Sequence, residues 1–258
     1  MSEVAGHRRS VYLIRMGPVN EHPNFPYRAW LREWLTRRGV LRTSAELVKG
    51  AFEIARDYLP SRRRLRFGDI DFDWDYRVDT TWSNLPVGTR IREVLAGRGY
   101  QPSDPLTFHE IMAQLPIDFR DFALLDLGSG KGRALLMASD YPFRRIIGVE
   151  LLPELHAIAK ENVRKYSSPR QQCRNFESHC GDARRFQLPP EPLVVFIFDP
   201  FPGDILREVI AGVERSVRES PRKVYLAYQN PISERVVAEF SGLRKIAGTI
   251  QYAIFESK

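Results

Sequence analysis

Cysteine is scarce: two residues in 258, Cys173 and Cys180, seven apart and outside any Cys-x-x-Cys pair. That excludes a disulfide scaffold and a zinc ribbon. Long hydrophobic runs are missing as well. The longest unbroken apolar stretch is Leu193 to Phe198, far short of the roughly 20 residues that span a bilayer. The N-terminus has neither a long apolar stretch nor the small-residue cleavage site of a secretory signal. Internal repeats and low-complexity tracts are absent. His109, His156 and His179 are scattered without metal-ligand spacing. The expectation is a soluble, cytoplasmic, reduced protein with no membrane partner and no metal. At 43% hydrophobic and 28% charged, the chain has enough apolar material for one sizeable core, and wholesale disorder is excluded.

The net charge of +7 is unevenly placed. Residues 1–66 hold 14 Lys+Arg against 6 Asp+Glu, a balance of +8, while the remaining 192 hold 25 against 26. Arg8–Arg9, Arg37–Arg38 and Arg62–Arg63–Arg64 form the basic clusters. Such a segment suits nucleic acid, an acidic protein or anionic lipid. No base-stacking aromatics alternate with these arginines, so a solvated basic surface is the favoured reading over a nucleic-acid partner.

The chain divides into three parts. Residues 1–66 read as a basic, mainly helical region: Trp30, Leu31, Trp34 and Leu35 recur at helical spacing, and Thr43 with Glu46 forms a capping box ahead of Leu47, Val48, Ala51 and Phe52. Residues 67–105 read as an extended and helical linker over the ligand site. Within it Asp69, Asp71, Asp73 and Asp75 alternate with Ile70, Phe72, Trp74 and Tyr76. A calcium loop would need Gly at its sixth position and Glu at its twelfth. From Asp69 those are Trp74 and Thr80, and from Asp71 they are Tyr76 and Trp82. An extended segment with one apolar face is the better reading. A short helix around Ile91–Leu95 follows, and Asp104 with Pro105 starts another through Leu106, Ile111 and Leu115.

From residue 106 to 258 short apolar runs alternate with helical segments. Strands are expected near 122–127, 145–149, 176–180, 193–198 and 224–228, with helices near 131–140, 153–166, 204–218 and 234–240. This alternation means an α/β fold with a doubly wound, mostly parallel sheet. Two strand-like stretches near 244–250 and 252–256 have no helix between them, which implies a terminal antiparallel hairpin and seven strands in all.

The first strand opens into Gly128-Ser129-Gly130-Lys131-Gly132. A glycine loop between strand and helix lets a ligand approach the backbone. A P-loop would need Gly at 125 and Ser or Thr at 132; the residues are Leu125 and Gly132. A dinucleotide fingerprint would need Gly at 133, where Arg133 stands. A nucleophile elbow would need Gly at 127, where Leu127 stands. Lys131 and Arg133 read as ordinary first-turn residues.

What remains is Asp-x-Gly-x-Gly-x-Gly, and here the sequence resembles the class I, seven-strand S-adenosylmethionine-dependent methyltransferases. The resemblance runs in order over about 140 residues. Asp126 with Gly128, Ser129, Gly130 and Gly132 is similar to the family's first motif. Glu150, closing Ile146-Ile-Gly-Val-Glu, is similar to the acidic residue that takes the ribose hydroxyls. Gly181-Asp182-Ala183 is similar to the adenine-binding corner, with Asp182 accepting from the adenine amino group. Phe198-Asp199-Pro200-Phe201 is similar to the fourth motif. The resemblance implies S-adenosyl-L-methionine as cofactor and Asp199 and Phe201 on the side of the methyl acceptor.

Asp199-Pro200-Phe201-Pro202 is similar to the Asp/Asn-Pro-Pro-Tyr/Phe motif of amino-group methyltransferases with its third and fourth positions exchanged. Tyr228-Gln229-Asn230-Pro231 adds a second polar and aromatic cluster after the fifth strand. Tyr100-Gln-Pro102-Ser103, the helix after it, and the Asp126 and Glu150 motifs resemble the seven-strand protein-lysine methyltransferases. In those the segment ahead of the helix covers the cofactor. The histone-type Asn-Asn-Phe motif is absent at 199–202. These features favour an amine on a protein or a small molecule as acceptor. The other reading is a catalytically inactive module of this fold that binds nucleic acid through its basic N-terminus.

Overall fold

The computed structural model describes residues 32, 36, 48, 70–81, 100–198 and 201–258. The expected helices around Trp30–Leu35, after Thr43 and at Ile91–Leu95 lie outside the described residues, as do Asp199 and Pro200.

Helix α1 (Ile70–Tyr76) comes first, then α2 (Pro105–Ala113) and a 3-10 turn at Phe119–Asp121. There follow β1 (Ala123–Leu127), α3 (Arg133–Ala138), β2 (Ile146–Glu150), α4 (Pro153–Lys165), β3 (Phe176–Cys180) and β4 (Leu193–Phe198). The chain ends with α5 (Gly203–Glu219), β5 (Val224–Gln229), α6 (Glu234–Ala238), β6 (Leu243–Gly248) and β7 (Tyr252–Ser257). The seven strands form one sheet in the order β3-β2-β1-β4-β5-β7-β6. Strands β1 to β5 pair in parallel, while β7 runs antiparallel to both β5 and β6. The doubly wound sheet and its terminal hairpin are thus as expected.

One expectation fails. Residues 70–76 form a helix rather than an extended segment. The alternation of acid and aromatic residues is short enough to satisfy either period. The balance is tipped by Asp73, which accepts hydrogen bonds from the backbone N–H groups of Thr80 and Thr81 in its own segment, both at 2.7 Å, and faces the Arg133 guanidinium of the sheet domain at 3.4 Å.

The sheet has a core on each face, and strand alternation assigns residues to them. Leu124, Val194, Phe196, Tyr225, Ala227 and Ile254 face α2 and α3. Leu125, Val195, Ile197, Leu226, Tyr228 and Phe255 face α5 and α6. Helix α5 meets the second core with Leu206, Val209, Ile210 and Val213. Helix α2 is capped by Asp104, whose side chain accepts from Thr107 N at 2.8 Å, and Pro105 fits its first turn.

The order of winding reverses between β1 and β4, because β2 and β3 lie to one side of β1 and β4 and β5 to the other. That is the switch point outside whose carboxyl strand ends an open α/β sheet leaves a crevice. The glycine loop follows β1 there, and β4 ends beside it at Phe198.

Candidate functional site

The glycine loop after β1 is tightly specified. Gly128, Gly130 and Gly132 all have positive φ, at 86°, 53° and 85°, a conformation that side-chain-bearing residues adopt at a cost. The N–H groups of Gly128 and Ser129 both donate to the Val149 carbonyl, at 2.8 and 3.0 Å. The loop therefore lies back against β2, and Gly148 makes this approach possible. A Cβ on Gly148 would sit 2.7 Å from Leu135 Cδ1 and 3.0 Å from Ser129 Oγ. The Tyr100 ring covers Gly130 so closely that a Cβ there would meet it at 2.4 Å.

Glu150 closes β2 and is buried. Its carboxylate accepts from Gly130 N at 2.8 Å and from Leu152 N at 2.8 Å, one through each oxygen. Burial pushes its pKa up, and the N–H groups of Leu152, Gly130 and Leu151 oppose that shift. A carboxylate has about four lone-pair positions, so capacity remains for hydroxyl donors. Asp126, at the end of β1, is also buried. Desolvation, with the nearby Glu150 charge adding to it, raises its pKa well above the usual carboxylate range. These two residues and the loop lie together at the carboxyl ends of β1 and β2.

Asp182 follows β3 in the turn that begins when Gly181 N donates to the Glu150 carbonyl at 2.8 Å. Its carboxylate is engaged by Arg184, through the backbone N–H at 2.9 Å and a guanidinium nitrogen at 2.6 Å. Asp182 therefore shapes its own turn. Ala183 packs against the core on the α5 face. Phe201 is half-buried and packs against the same core, which gives it a packing role in addition to any contact with a ligand.

The largest departure from the sequence reading concerns Lys131 and Arg133. Neither is an ordinary first-turn residue: they are 0% and 2% exposed. Lys131 Nζ donates to Asp79 Oδ1 and to the Thr81 carbonyl, both at 2.7 Å. Arg133 Nε donates to Thr80 Oγ1 at 2.6 Å, its guanidinium stands 3.4 Å from Asp73 Oδ1, and it lies 4.8 Å from the centre of the Phe72 ring. Burial lowers the Arg133 pKa to about 10. Asp73 also accepts from the Thr80 hydroxyl. Asn162, on α4, completes the lock: its side chain pairs with the Asp79 backbone in both directions, at 2.8 and 2.7 Å, and donates to the Lys131 carbonyl at 2.9 Å. Tyr100 Oη donates to the Thr80 carbonyl at 2.7 Å. Residues 72–81 and Tyr100 are thereby strapped onto the glycine loop.

The sequence carries a signal for this strap. Helix α3, Arg-Ala-Leu-Leu-Met-Ala, is buried on every side. A cation in such a helix needs a partner, because an unpaired charge is costly to bury. The aspartates at 73 and 79 are those partners, more than 50 residues upstream.

Among the described residues no group of three or more His, Cys, Asp and Glu is placed to hold a metal ion. His156 is a core residue, its Nδ1 lying 3.0 Å from Ser178 Oγ. Cys180 closes β3 at an exposed position, and partial desolvation with the Glu150 and Glu154 carboxylates pushes its thiol up to about 11. No described helix is long and apolar enough to cross a membrane.

No protein-family model matches the chain. A curated relative from Chlamydia muridarum (strain MoPn / Nigg), named an uncharacterized RNA methyltransferase, is 33% identical over 116 residues. The match covers 43% of this chain and 26% of that protein, so the chain spans about a quarter of the relative's length. Among solved structures, the precorrin-6y C5,15-methyltransferase of Geobacter metallireducens GS-15 is 20% identical with a TM-score of 0.43, covering 59% of this chain and 87% of that one. An RNA methyltransferase from Salinibacter ruber, in complex with S-adenosyl-L-homocysteine, is 17% identical with a TM-score of 0.40, covering 61% and 92%. The chain's own sheet order, its β5–β7–β6 hairpin and its glycine loop define a seven-strand, Rossmann-like α/β fold.

Proposed function

We propose that the protein is an S-adenosylmethionine-dependent methyltransferase. The observation that carries this reading is the pairing of the Gly128–Gly132 loop with Glu150 at the switch point, joined by the Gly130–Glu150 hydrogen bond of 2.8 Å. The donor set fits the cofactor. A buried carboxylate with free lone pairs suits two vicinal hydroxyls, and the glycines give a backbone surface for the methionine end. Ser129 Oγ, buried and without a hydrogen-bond partner among the described residues, is a further polar atom in the same loop. When bound, the cofactor would supply an electrophilic methyl group on a sulfonium.

The chain's own residues then bind and orient. Glu150 holds the ribose, Asp182 and Ala183 border the adenine, and Asp126 with Gly128, Ser129, Gly130 and Gly132 cradles the remainder. Asp199 and Phe201 follow β4 and serve the acceptor: Asp199 orients the nucleophile or takes its proton, and Phe201 offers a ring face to a cationic group. The acceptor is an amine of a protein or small molecule, supported by the Asp199-Pro200-Phe201-Pro202 sequence. A second reading, a nucleic-acid acceptor, is favoured by the printed name of the Chlamydia relative and by the +8 balance of residues 1–66. The protein works in the cytoplasm on either reading.

Incubating cell extract with the purified protein and methyl-labelled cofactor, then separating protein, nucleic acid and small molecules, tests both. Label in protein or small molecules supports the first reading, and label in nucleic acid replaces it with the second. No label in any fraction, together with no calorimetric binding of S-adenosylhomocysteine, overturns the methyltransferase assignment.

A further inference from the structure

Gln229 ends β5 and is 4% exposed. Its amide oxygen is fully buried and has no hydrogen-bond partner among the described residues. An amide acceptor left unpaired in this way is costly, and buried side-chain acceptors are paired in the large majority of cases. Its position gives the orphan atom a use. In the sheet register Gln229 is opposite Phe198, the residue before Asp199, and on its other side opposite Tyr252. Strand alternation sets it on the same face as Ala227, which is opposite Phe196, which in turn is opposite Asp126. Gln229 thus stands at the carboxyl end of the sheet, on the far side of β4 from the Glu150 pocket.

We propose that Gln229 is a positioning residue for the methyl acceptor, its amide oxygen accepting a hydrogen from a nitrogen nucleophile at the transfer point. The inference rests on the methyltransferase reading above and narrows it to acceptors whose nucleophile carries an N–H. One N–H is held by Gln229 while the nitrogen lone pair stays free. That lone pair forms the new N–C bond as the S–C bond breaks, the departing electron pair remaining on sulfur, and the methylated nitrogen then loses one proton to Asp199 or to water.

The test requires no knowledge of the acceptor. Sinefungin carries an amine where the cofactor carries its transferable methyl, so its nitrogen stands in for an N–H donor at the transfer point, and S-adenosylhomocysteine has no such group. Both are titrated calorimetrically into the wild-type protein, Gln229→Leu and Gln229→Glu. In Gln229→Leu, S-adenosylhomocysteine affinity should be unchanged and sinefungin affinity should fall about tenfold, the scale of one lost hydrogen bond to a charged group. Gln229→Glu should restore or exceed wild-type sinefungin preference. The melting temperature of Gln229→Leu should equal or exceed wild type, since it replaces an unpaired polar group by an apolar one of similar size. An unchanged ratio of the two ligands in Gln229→Leu overturns the inference. So does an equal loss of both, or a lowered melting temperature without a change in the ratio, each of which makes Gln229 part of the scaffold. A wild-type protein that binds neither ligand overturns the cofactor reading itself, and the inference with it.

Discussion

The two sides of the crevice are built differently. On the β1–β2 side the charged groups named above are spoken for, and Ser129 Oγ is the polar atom named there that keeps no partner among the described residues. Glu150 is held by two backbone N–H groups, Lys131 by Asp79 and Thr81, Arg133 by Thr80 and Asp73, and the strap by Asn162. On the β4–β5 side Gln229 keeps an unpaired buried oxygen, and Ile232 and Ile250 stand exposed just beyond the strand ends, at 66% and 93%. The comparison separates two demands. A cofactor of constant shape rewards a preorganised pocket whose geometry is over-determined by hydrogen bonds. A side that receives a separate reactant must keep polar capacity and accessible surface unspent until that reactant arrives.

Breaking the first side should have the largest effect. Asp73→Ala removes the carboxylate facing the almost fully buried Arg133, and an uncompensated buried charge costs about 3–5 kcal/mol. Denaturant unfolding should show that loss, and a cost below about 1 kcal/mol would mean that the strap contributes little to the fold.

Glu150→Ala comes next. Losing charge-assisted contacts to the ribose should weaken S-adenosylhomocysteine by about 1.5–3 kcal/mol, roughly tenfold to a hundredfold or more, in calorimetry. Undiminished affinity would remove the ribose assignment.

Phe201→Ala probes the other side. Because Phe201 is only half-buried, its stability cost should stay below the roughly 3–5 kcal/mol of a fully buried phenylalanine. Turnover per folded molecule should fall while cofactor affinity holds. A large drop in melting temperature with normal turnover would make Phe201 purely structural.

The smallest expected effect sharpens the contrast through pH. Asp126 and Glu150 have raised pKa values in the folded protein. The folded state therefore holds protons that the unfolded chain releases near pH 4. The contribution of these two groups to stability is fully present below that point and declines as pH rises toward their folded pKa values. Asp126→Asn should flatten the decline in melts taken from pH 4 to 8 and leave the variant as stable as wild type or more so at neutral pH. An unchanged pH slope would mean that Asp126 titrates normally.

Much of this architecture is local in origin, and to that extent it was legible in the residue order. Strand β4 reads directly as six apolar residues covered on both faces, and α5 reads from Leu206, Val209, Ile210 and Val213. The cap of α2 reads from Asp104 and Pro105. The glycine loop also reads directly, because positive φ at alternate residues selects glycine whatever lies nearby. These features depend on periodicity and backbone sterics, which act over a few residues. Lys131 and Arg133 could not be read in that way, since a lysine in a first turn is exposed or buried according to what packs above it. Only the tertiary structure brought Asp73 and Asp79 onto them, made 70–76 helical, and left Gln229 without a partner among the described residues. Each of these is decided by desolvation and pairing between segments distant along the chain, and the free energy of a buried polar group is set by its neighbours in space rather than by its neighbours in sequence.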